Sequence, residues 1–476
     1  MTKQLPAIVW LRGDLRISDH APLMAALADG RPVLPIYVLD DEAAGVHALG
    51  GAARWWLHNS LQSLSADLHR RGASLMLARG SAASLLPALM TETGAQELHA
   101  GRAHEPWARK IELALAKQLG DRFCLHRTTT LFDLDEIRTK TGGVYGVYTP
   151  FAKACRARGE VGAPLPAPDK IAGFKPPRSD RLDDWALLPR HPDWAGGLRE
   201  TWTPGEAHAQ RRLGEFLDNA VVRYQTGRNL PGEDGTSRLS PHLHWGELSA
   251  RQVWHSARAL PPGDGLDTYL NEILWREFAA YLLWHHPHLP EQPLRPAFGK
   301  LPFRHQQREL LAWQRGQTGI PIVDAGMRQL WQLGWMHNRV RMITASFLVK
   351  QLLMDWREGE RWFWDTLVDA DLASNAASWQ WIAGCGIDSQ PFFRVFNPVS
   401  QGERWDQAGD YVRRFVPEIA KLPDQYLQSP WTAPTAVLRS AGVELGKTYP
   451  APLVDLAATR LRALDAYRET VRGAAA

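Results

Sequence analysis

Cysteine is scarce in this chain of 476 residues, and Cys124, Cys155 and Cys385 lie far apart in the sequence. Their spacing is unlike that of a zinc site, and they are too few for a disulfide framework. We therefore predict that the protein binds no metal and works in a reducing, cytoplasmic compartment.

Long apolar runs are also missing. No stretch of 18 apolar residues occurs, and residues 1–6 lack the basic-then-apolar pattern of a signal peptide. The sequence therefore predicts no association with a membrane. The net charge of +4 is mildly basic, which permits a nucleic-acid partner without requiring one.

Tryptophan, by contrast, is abundant. The chain has 21, and more than half lie between Trp245 and Trp381. Buried indoles need a partner for their N–H group, so such density usually reflects helix packing. Stacking platforms and redox-active rings are the less common explanations.

The first 130 residues alternate between short apolar runs and helical patterns. Strands are predicted at 7–11, 32–39, 74–78, 96–100 and 123–127, and a helix at 52–71. This alternation predicts an α/β domain with a parallel, doubly wound sheet. No GxGxxG motif follows the first strand, so the usual dinucleotide fingerprint is absent.

The remainder of the chain changes character twice. Glycine, proline and charge dominate residues 158–206, and helical periodicity prevails afterwards. We predict an α/β domain at 1–130, an inter-domain connection at 131–203 and a large all-α domain at 204–476. Residues 451–476 are predicted to form a last amphipathic helix with a frayed alanine tail and no further extension.

Four blocks of residues have a composition suited to chemistry. The first contains Tyr224, Arg228 and the run Gly-Thr-Ser-Arg-Leu-Ser-Pro at 235–241. Hydroxyl side chains and backbone N–H groups after a glycine suit a phosphate. A helix cap with a turn is the simpler alternative.

The second block places Glu272, Trp275 and Arg276 at helical spacing, so that they share one face. If buried, the acid and the guanidinium need partners. A surface ion pair between Glu272 and Arg276 is the alternative interpretation.

The third block joins Asn338, Arg339, Arg341 and Met342, just after Trp335. Methionine at helical spacing usually fills a core. Beside an asparagine and a tryptophan it equally suits the floor of a pocket for a flat base.

The fourth block runs from Asp369, Ala370 and Asp371 to Asn375, Trp379 and Trp381. Asn375 and Trp379 are helical neighbours, whereas Trp381 points about 200 degrees away from Trp379. The two acids, with Arg341, suit an ion pair around a cofactor; a paired-acid helix cap is the alternative.

Together these blocks resemble the photolyase/cryptochrome family, and in detail its bacterial class I cyclobutane-dimer photolyases. The likeness covers nearly the whole chain. It includes the motifs Trp-Leu-Arg-Gly-Asp-Leu-Arg at 10–16, Asp-Trp-Arg-Glu-Gly-Glu at 355–360 and Phe-Asn-Pro at 396–398, and the long run at 318–330.

The resemblance implies that the helical domain binds FAD. The residues that match phosphate ligands are Tyr224, Thr236, Ser237, Arg238, Leu239 and Ser240. Arg341 and Asp369 match an ion pair beside the flavin, with Ala370 next to it, and Asp371 matches a residue near the ring and ribose. Asn375 matches the residue that faces flavin N5, where an asparagine favours the fully reduced anion.

The resemblance also implies a DNA substrate. Extruding a lesion from the duplex is a known property of photolyases. Glu272 matches the acid that hydrogen-bonds the dimer, and Trp275 and Trp381 match the two indoles that cradle it. Residues matching the rest of the pocket and its DNA contacts are Arg228, Arg276, Asn338, Arg339 and Met342.

The implied activity is light-driven repair by electron transfer from excited reduced FAD to a flipped-out dimer. Relatives that repair six-four photoproducts carry histidine where this chain has Asn338 and Met342, which favours the cyclobutane dimer. A blue-light receptor of the cryptochrome type is the main alternative, and a flavin oxidoreductase without a DNA role is a third. The family pocket and the missing tail favour repair.

The family photoreduces FAD through three tryptophans. Trp379 and Trp356 match the inner two, but the outermost position falls on Phe303, which is too hard to oxidise. Trp313, Trp362 or Trp364 are candidates to replace it.

The resemblance further implies an antenna chromophore, and we expect the protein to be a monomer. Residues near Asp40, Arg54 and Glu105 are the candidate lining. Methenyltetrahydrofolate and an 8-hydroxy-deazaflavin both remain open, as does an empty site.

Overall fold

The structure is a computed structural model that describes residues 5–389 and 391–472. Within these residues, no helix has both the length and the apolar character needed to cross a lipid bilayer.

A five-stranded parallel sheet occupies the amino-terminal part of the chain. Its strands are β1 (Ala7–Leu11), β2 (Val33–Leu39), β3 (Met76–Arg79), β4 (Glu97–Gly101) and β5 (Phe123–His126), in the order β3-β2-β1-β4-β5. Every residue of β1 and β2 is buried, as in a parallel sheet covered on both faces. The predicted α/β class is confirmed, and β1 has the predicted bounds.

Helices make up most of the remaining structure. In chain order they are α1 (Ala21–Leu27), α2 (Asp41–Ala44), α3 (Gly51–Arg70), α4 (Ala82–Thr93), α5 (Pro106–Leu119), α6 (Tyr148–Ala157), α7 (Gly196–Thr201), α8 (Glu206–Asn219), α9 (Tyr224–Gly227), α10 (Ser240–His244), α11 (Ala250–Arg258), α12 (Asp264–His285), α13 (Gln307–Gln314), α14 (Pro321–Leu333), α15 (Asn338–Ser346), α16 (Trp356–Thr366), α17 (Leu372–Ala383), α18 (Pro398–Trp405), α19 (Asp410–Phe415), α20 (Asp424–Leu427), α21 (Thr435–Ser440) and α22 (Leu456–Tyr467). Short 3₁₀ turns lie at Gly45–His47, Gly120–Arg122, Leu182–Trp185, Val221–Arg223, Pro296–Lys300, Pro417–Ile419 and Pro430–Thr432, and π-helical turns at Phe347–Gln351 and Arg468–Arg472. The helical character predicted after residue 204 is confirmed.

The chain divides into two compact units. The sheet unit comprises Met1–Asn219, Ser237–Pro287 and Val368–Ala373, and the helical unit comprises Ala220–Thr236, His288–Leu367 and Ser374–Ala476. This division differs from the predicted boundaries at 130 and 203, which stay predictions.

Part of the predicted connection packs onto the sheet unit. The amide of Phe174 donates to the carbonyl of Val33, and the amide of Val33 donates to the carbonyl of Ala172. The amide of Asp180 likewise donates to the carbonyl of Leu77. These bonds extend the hydrogen bonding of β2 and β3, which explains why a proline-rich segment belongs to this unit.

A buried polar cluster joins α3 to the segment after α10. Glu247 is fully buried, and its Oε1 accepts a hydrogen bond of 3.1 Å from the indole of Trp56. Its Oε2 lies 2.5 Å from Nδ1 of His242. A buried carboxylate needs such partners to offset its lost hydration, so this cluster fixes the two segments together.

The carboxyl end of β1 is closely packed. The amide of Leu15 donates to the carbonyl of Trp245, and Nη1 of Arg16 donates to the carbonyl of Gly246. A Cβ atom at residue 246 would lie 2.1 Å from the carbonyl oxygen of Gly13. Gly246 also has a φ of +65°, so glycine is required there on both counts.

The helical unit contains a buried acid in the long motif at 318–330. Asp324 is fully buried and accepts hydrogen bonds from the amides of Thr318 and Gly319 and from both hydroxyls of Thr318 and Tyr449. Burial nevertheless raises the pKa of Asp324 to about 6. The acid therefore anchors the start of α14 and the chain near residue 449.

The carboxyl-terminal helix is shorter than predicted. α22 begins at Leu456, where the side chain of Asp455 caps the amides of Ala457 and Ala458. The residues before the cap, 451–454, are not helical. Part of the predicted alanine tail, residues 473–476, lies outside the described residues.

Candidate functional site

The first block begins in the helical unit with Tyr224, the first residue of α9. The guanidinium of Arg228 lies 5.6 Å from the centre of the Tyr224 ring. A Cβ atom at residue 235 would lie 2.6 Å from the carbonyl oxygen of Gly227. Glycine at 235 therefore lets Thr236 follow directly beside α9.

The block continues in the sheet unit with residues 237–240. Arg238 has a φ of +49°, which is unusual for a residue other than glycine. The carbonyl of Ser237 accepts a hydrogen bond from Nε of Arg212, Leu239 is buried, and Ser240 begins α10. A strained residue in a loop that is fixed by hydrogen bonding and burial is typical of functional turns.

Glu272, Trp275 and Arg276 lie together on α12, as their spacing predicts. The indole of Trp275 is 36% exposed. The phenol ring of Tyr148 stacks on it, with 3.6 Å between ring centres and 6° between planes. Sequence reasoning missed Tyr148, because it lies far from Trp275 along the chain.

Arg276 holds other segments of the sheet unit. Its Nη1 donates to the carbonyl of Thr129 at 2.7 Å, and its Nη2 donates to the carbonyl of Leu243 at 3.2 Å. These bonds give the side chain a structural task. Its predicted contact with DNA stays a prediction.

The fourth block begins with Asp369 and Ala370, both buried. The next acid, Asp371, has Oδ2 3.8 Å from a ring nitrogen of His104 and 3.8 Å from one of His244. Burial opposes ionisation of Asp371, but its interactions with both histidines hold its pKa well below the usual range. Asp371 is therefore a carboxylate at neutral pH.

The pKa of His104 is shifted in the opposite direction. Burial lowers its pKa, but Glu105 and Asp371 outweigh burial, so the pKa of His104 lies above its usual value. Neither His104 nor His244 was predicted. They lie far apart in the sequence, and only the fold reveals that they share one acid.

In the helical unit, α17 carries Asn375, which is buried. Its Nδ2 lies 3.2 Å from the carbonyl oxygen of Glu360 and 2.9 Å from Oε1 of the same residue. A backbone carbonyl can only accept, so the Asn375 amide nitrogen must face it. The Oδ1 atom of Asn375 is the one that can accept a bond from a ligand.

Glu360 is another residue that sequence reasoning missed. Only 3% of it is exposed. Burial raises its pKa to about 7, although the hydrogen bond from Asn375 and the charge of Arg361 act in the other direction. A large part of the Glu360 population is therefore protonated at neutral pH.

Trp379, one turn after Asn375, is buried against α16. A Cβ atom at residue 359 would lie 2.1 Å from its Cη2 atom, so Gly359 makes room for the indole. The Trp379 ring centre lies 5.0 Å from that of Phe363 and 6.3 Å from that of Trp313. Trp356, the first residue of α16, is also buried.

Candidates for the outer tryptophan differ in their surroundings. Trp313 is fully buried and donates to the carbonyl of Thr344. Trp362 stacks on Trp331, which is 53% exposed, with 6.1 Å between ring centres. The role of these tryptophans in electron transfer stays a prediction.

The third block lies at the start of α15. Asn338 is exposed, and Nη1 of Arg339 lies 3.7 Å from the sulfur of Met342. Arg339 also bonds to the side chain of Asn229. Trp381, on α17, is half-buried.

A concentration of positive charge surrounds Arg339. Its guanidinium lies 4.7 Å from the ring centre of Trp405, and that of Arg404 lies 4.4 Å from the same centre. Burial, then Arg228 and Arg404, lower the pKa of Arg339. Such a cluster suits a phosphate backbone, and Arg404 and Trp405 were not predicted.

The sheet unit thus carries Glu272, Trp275, Arg276 and the residues at 237–240 and 369–371. The helical unit carries the other predicted site residues, which are Tyr224, Arg228, Thr236, Asn338, Arg339, Arg341, Met342, Trp356, Asn375, Trp379 and Trp381. Within each unit the predicted neighbours on a shared helix do lie together.

A small cavity of about 100 Å³ opens on the sheet unit. Arg102, Arg127, Phe132 and Trp284 are among its lining residues. The candidate antenna residues have other contacts. Arg54 pairs with Asp41, for example.

Comparison with known proteins gives long matches. Residues 7–169 match a family model described as DNA photolyase, and residues 269–469 match one described as the FAD binding domain of DNA photolyase. A deoxyribodipyrimidine photo-lyase of Agrobacterium fabrum is 48% identical over 472 residues, covering 98% of each chain. Cryptochrome-1 of Arabidopsis thaliana is 34% identical, covering 97% of this chain and 70% of the relative.

Solved structures agree with this result. The crystal structure of a bacterial class III photolyase from Agrobacterium tumefaciens shares 47% identity, covers 99% of both chains and has a TM-score of 0.96. The narrower likeness to class I photolyases stays a prediction. Because family models cover most of the sequence and a relative at 48% identity matches its full length, the chain belongs to the photolyase/cryptochrome family.

Proposed function

We propose that this chain repairs cyclobutane pyrimidine dimers in UV-damaged DNA, using light and bound FAD. The observation that carries the proposal is the 48% identity to a deoxyribodipyrimidine photo-lyase along nearly the entire length of both chains. The cryptochrome relatives are less similar, at 34% and below. The intact set Glu272, Trp275 and Trp381 supports repair over signalling.

The described residues fit a bound FAD. The backbones of Gly227 and Gly235 lie close together and Arg238 has a positive φ, so the chain turns tightly here. This turn lies in the block predicted to hold the phosphates, which contains Tyr224 and residues 236–240. Arg341, Asp369, Ala370 and Asp371 are the proposed partners of the flavin and ribose. When bound in its reduced form, FAD supplies the electron donor that light excites.

Asn375 is proposed to face the flavin ring. Its Nδ2 is committed to Glu360, so its Oδ1 is available as an acceptor. The amide carries no charge, whereas a carboxylate at this position would repel an anionic ring. The residue therefore suits the fully reduced anion.

The lesion is proposed to be bound by two indoles and one acid. Trp275 and Trp381 offer flat faces, and each stacked base contributes about 1–3 kcal/mol. Glu272 hydrogen-bonds the dimer in a site from which water is excluded, where a fixed polar group stabilises developing charge most effectively. Asn338, Arg339 and Met342 complete the pocket, and Arg228, with Arg276, binds the DNA strand.

Photoreduction of FAD is proposed to proceed through Trp379 and Trp356. Phe363 and Trp313 adjoin Trp379, and Trp313 is one of the tryptophans proposed to replace the outer tryptophan whose position holds Phe303. Repair in light does not depend on this path, because it needs reduced flavin however that is obtained.

An antenna chromophore is a further part of the proposal. Methenyltetrahydrofolate and an 8-hydroxy-deazaflavin are the two candidates, with residues near Asp40, Arg54 and Glu105 as the proposed lining. We also propose a monomeric protein that acts in the cytoplasm. An absorption spectrum of the purified protein identifies FAD and any antenna band.

The decisive experiment measures dimer loss from irradiated DNA by chemically reduced, FAD-loaded protein, in light and in darkness. We expect loss only in light. We expect Trp381→Ala to weaken repair, whereas Trp331→Ala, which removes an exposed indole outside the proposed site, should not. A reduced, FAD-loaded protein that leaves dimers intact under light would overturn the proposal in favour of a photoreceptor.

A further inference from the structure

Tyr148 and Trp275 form a nearly parallel aromatic pair in the sheet unit. Their ring centres are 3.6 Å apart and their planes differ by 6°. Phe278 meets the Tyr148 ring at 67° and the Trp275 ring at 70°, with 6.0 Å between centres in both cases. The pair therefore rests edge-on against a buried third ring.

The phenol is itself held in place by polar contacts. Its hydroxyl donates to the carbonyl of Asn271 at 2.8 Å and lies 3.2 Å from Oδ1 of the same residue. Arg156, on the same helix as Tyr148, donates to that Oδ1 atom. Since Asn271 lies one turn before Trp275 on α12, these bonds tie α6 to the helix that carries the indole.

One face of the indole is consequently covered. Trp275 keeps 36% of its surface exposed, and the stack confines that exposure to the opposite face and the ring edges. An unsupported indole on a helix surface would sample several χ1 and χ2 rotamers. The stack selects one of them before any ligand arrives.

We propose that Tyr148 is a positioning residue, which holds the Trp275 indole as a preformed platform for one base of the flipped lesion. The inference rests on the proposed function, because it assigns the free indole face to the dimer. Preorganisation favours binding because the cost of fixing the ring is met on folding. Undamaged duplex DNA presents no flipped base and gains nothing from the platform.

The expected effect follows from population arithmetic. An aromatic pair stabilises its geometry by about 0.5–1.5 kcal/mol beyond area burial, so losing it reduces the competent rotamer and dimer affinity by about 2- to 10-fold. Chemistry within the bound complex is unaffected, so Kd rises while the repair rate per bound dimer stays near wild type.

The test uses FAD-loaded, chemically reduced full-length protein and two matched duplexes, with and without a single thymine dimer. The variants are Tyr148→Ala, Tyr148→Leu, Tyr148→Phe and Trp275→Ala, with Trp331→Ala as control. Trp331 stacks on Trp362 in another partly exposed aromatic pair, which has no proposed role in DNA binding. Thermal denaturation and flavin absorbance verify folding, and Tyr148→Leu preserves apolar volume should the alanine variant unfold.

We expect Tyr148→Ala and Tyr148→Leu to weaken binding to the dimer duplex selectively, and Tyr148→Phe to restore it. If the folded Tyr148→Ala and Tyr148→Leu variants bind the dimer duplex with wild-type affinity while Trp275→Ala binds it weakly, the inference about Tyr148 is overturned and the proposed function stands. A Phe variant as weak as Ala would also overturn it, since the hydroxyl and not the stack would then matter. If Trp275→Ala itself binds dimers normally, the proposed lesion site fails instead.

Discussion

Glu360 is a buried acid whose replacement by glutamine should change how protein stability depends on pH. Burial raises its pKa to about 7 from an ordinary value of 4.5. In the unfolded chain the carboxyl ionises near 4.5, whereas in the folded protein it keeps its proton until about pH 7. Folding therefore becomes progressively less favourable between these two values.

The magnitude follows from the two pKa values. Their separation corresponds to about 3 kcal/mol, which is absent below pH 4.5 and reaches its full size above pH 7. Glutamine never ionises, and its Oε1 can still accept the bond from Asn375. We expect Glu360→Gln to gain stability over wild type steadily as pH rises from 5 to 8.

Urea unfolding of both FAD-loaded proteins at a series of pH values measures this difference. The raised pKa of Asp324 is common to both proteins and cancels. Glu358→Gln is the matched control, because Glu358 is a partly exposed partner of Arg361 on the same helix. Stability curves for Glu360→Gln and wild type that stay parallel from pH 5 to 8 would refute the reasoning.

Three further substitutions have defined outcomes. Trp379→Phe should abolish light-driven reduction of oxidised FAD, followed as bleaching of the flavin band, while chemically reduced enzyme still repairs; unchanged bleaching would show that the path is wrong. Gly359→Ala should cost about 1–3 kcal/mol in urea unfolding, because its Cβ would lie 2.1 Å from the Trp379 ring; an unchanged midpoint would contradict this packing. Glu277→Ala removes the acceptor of the Leu131 and Phe132 amides and should cost about 1–3 kcal/mol for each buried amide left unpaired. Urea unfolding measures this loss, and Glu277→Gln, which keeps one acceptor oxygen, should lose less stability.

Strands of the sheet were predictable because buried parallel strands are continuous apolar runs. β1 has the predicted bounds, and β2 begins at Val33, one residue later than predicted. The boundary of β3 was shifted to Met76 because apolar character alone does not show where pairing with β2 begins. Pairing is a tertiary property and is set by the partner strand.

Site residues were predictable where they share a helix. The spacing of Glu272 and Trp275 on α12, and of Asn375 and Trp379 on α17, follows from helical periodicity. Tyr148 and Glu360 were missed because each reaches its partner from another helix. No local pattern distinguishes such residues from ordinary packing residues.

The proline-rich segment illustrates a different limit. The composition of this segment indicated an inter-domain connection, yet the backbone of the segment forms hydrogen bonds with the backbone of Val33 and Leu77. Proline and glycine predict irregular backbone, but they do not indicate whether that backbone is free or bound to a neighbouring sheet.

In open α/β sheets, ligands usually enter where neighbouring strands are connected in opposite directions, which here is the gap between β1 and β4. The turn at Trp245 and Gly246 already occupies the end of β1, so a nucleotide would compete with the protein's own backbone. Even one methyl group on residue 246 would push this turn, and with it α10 and the strained loop before it, away from the strand. The location of the proposed phosphate-binding loop thus depends on residue 246 having no Cβ atom.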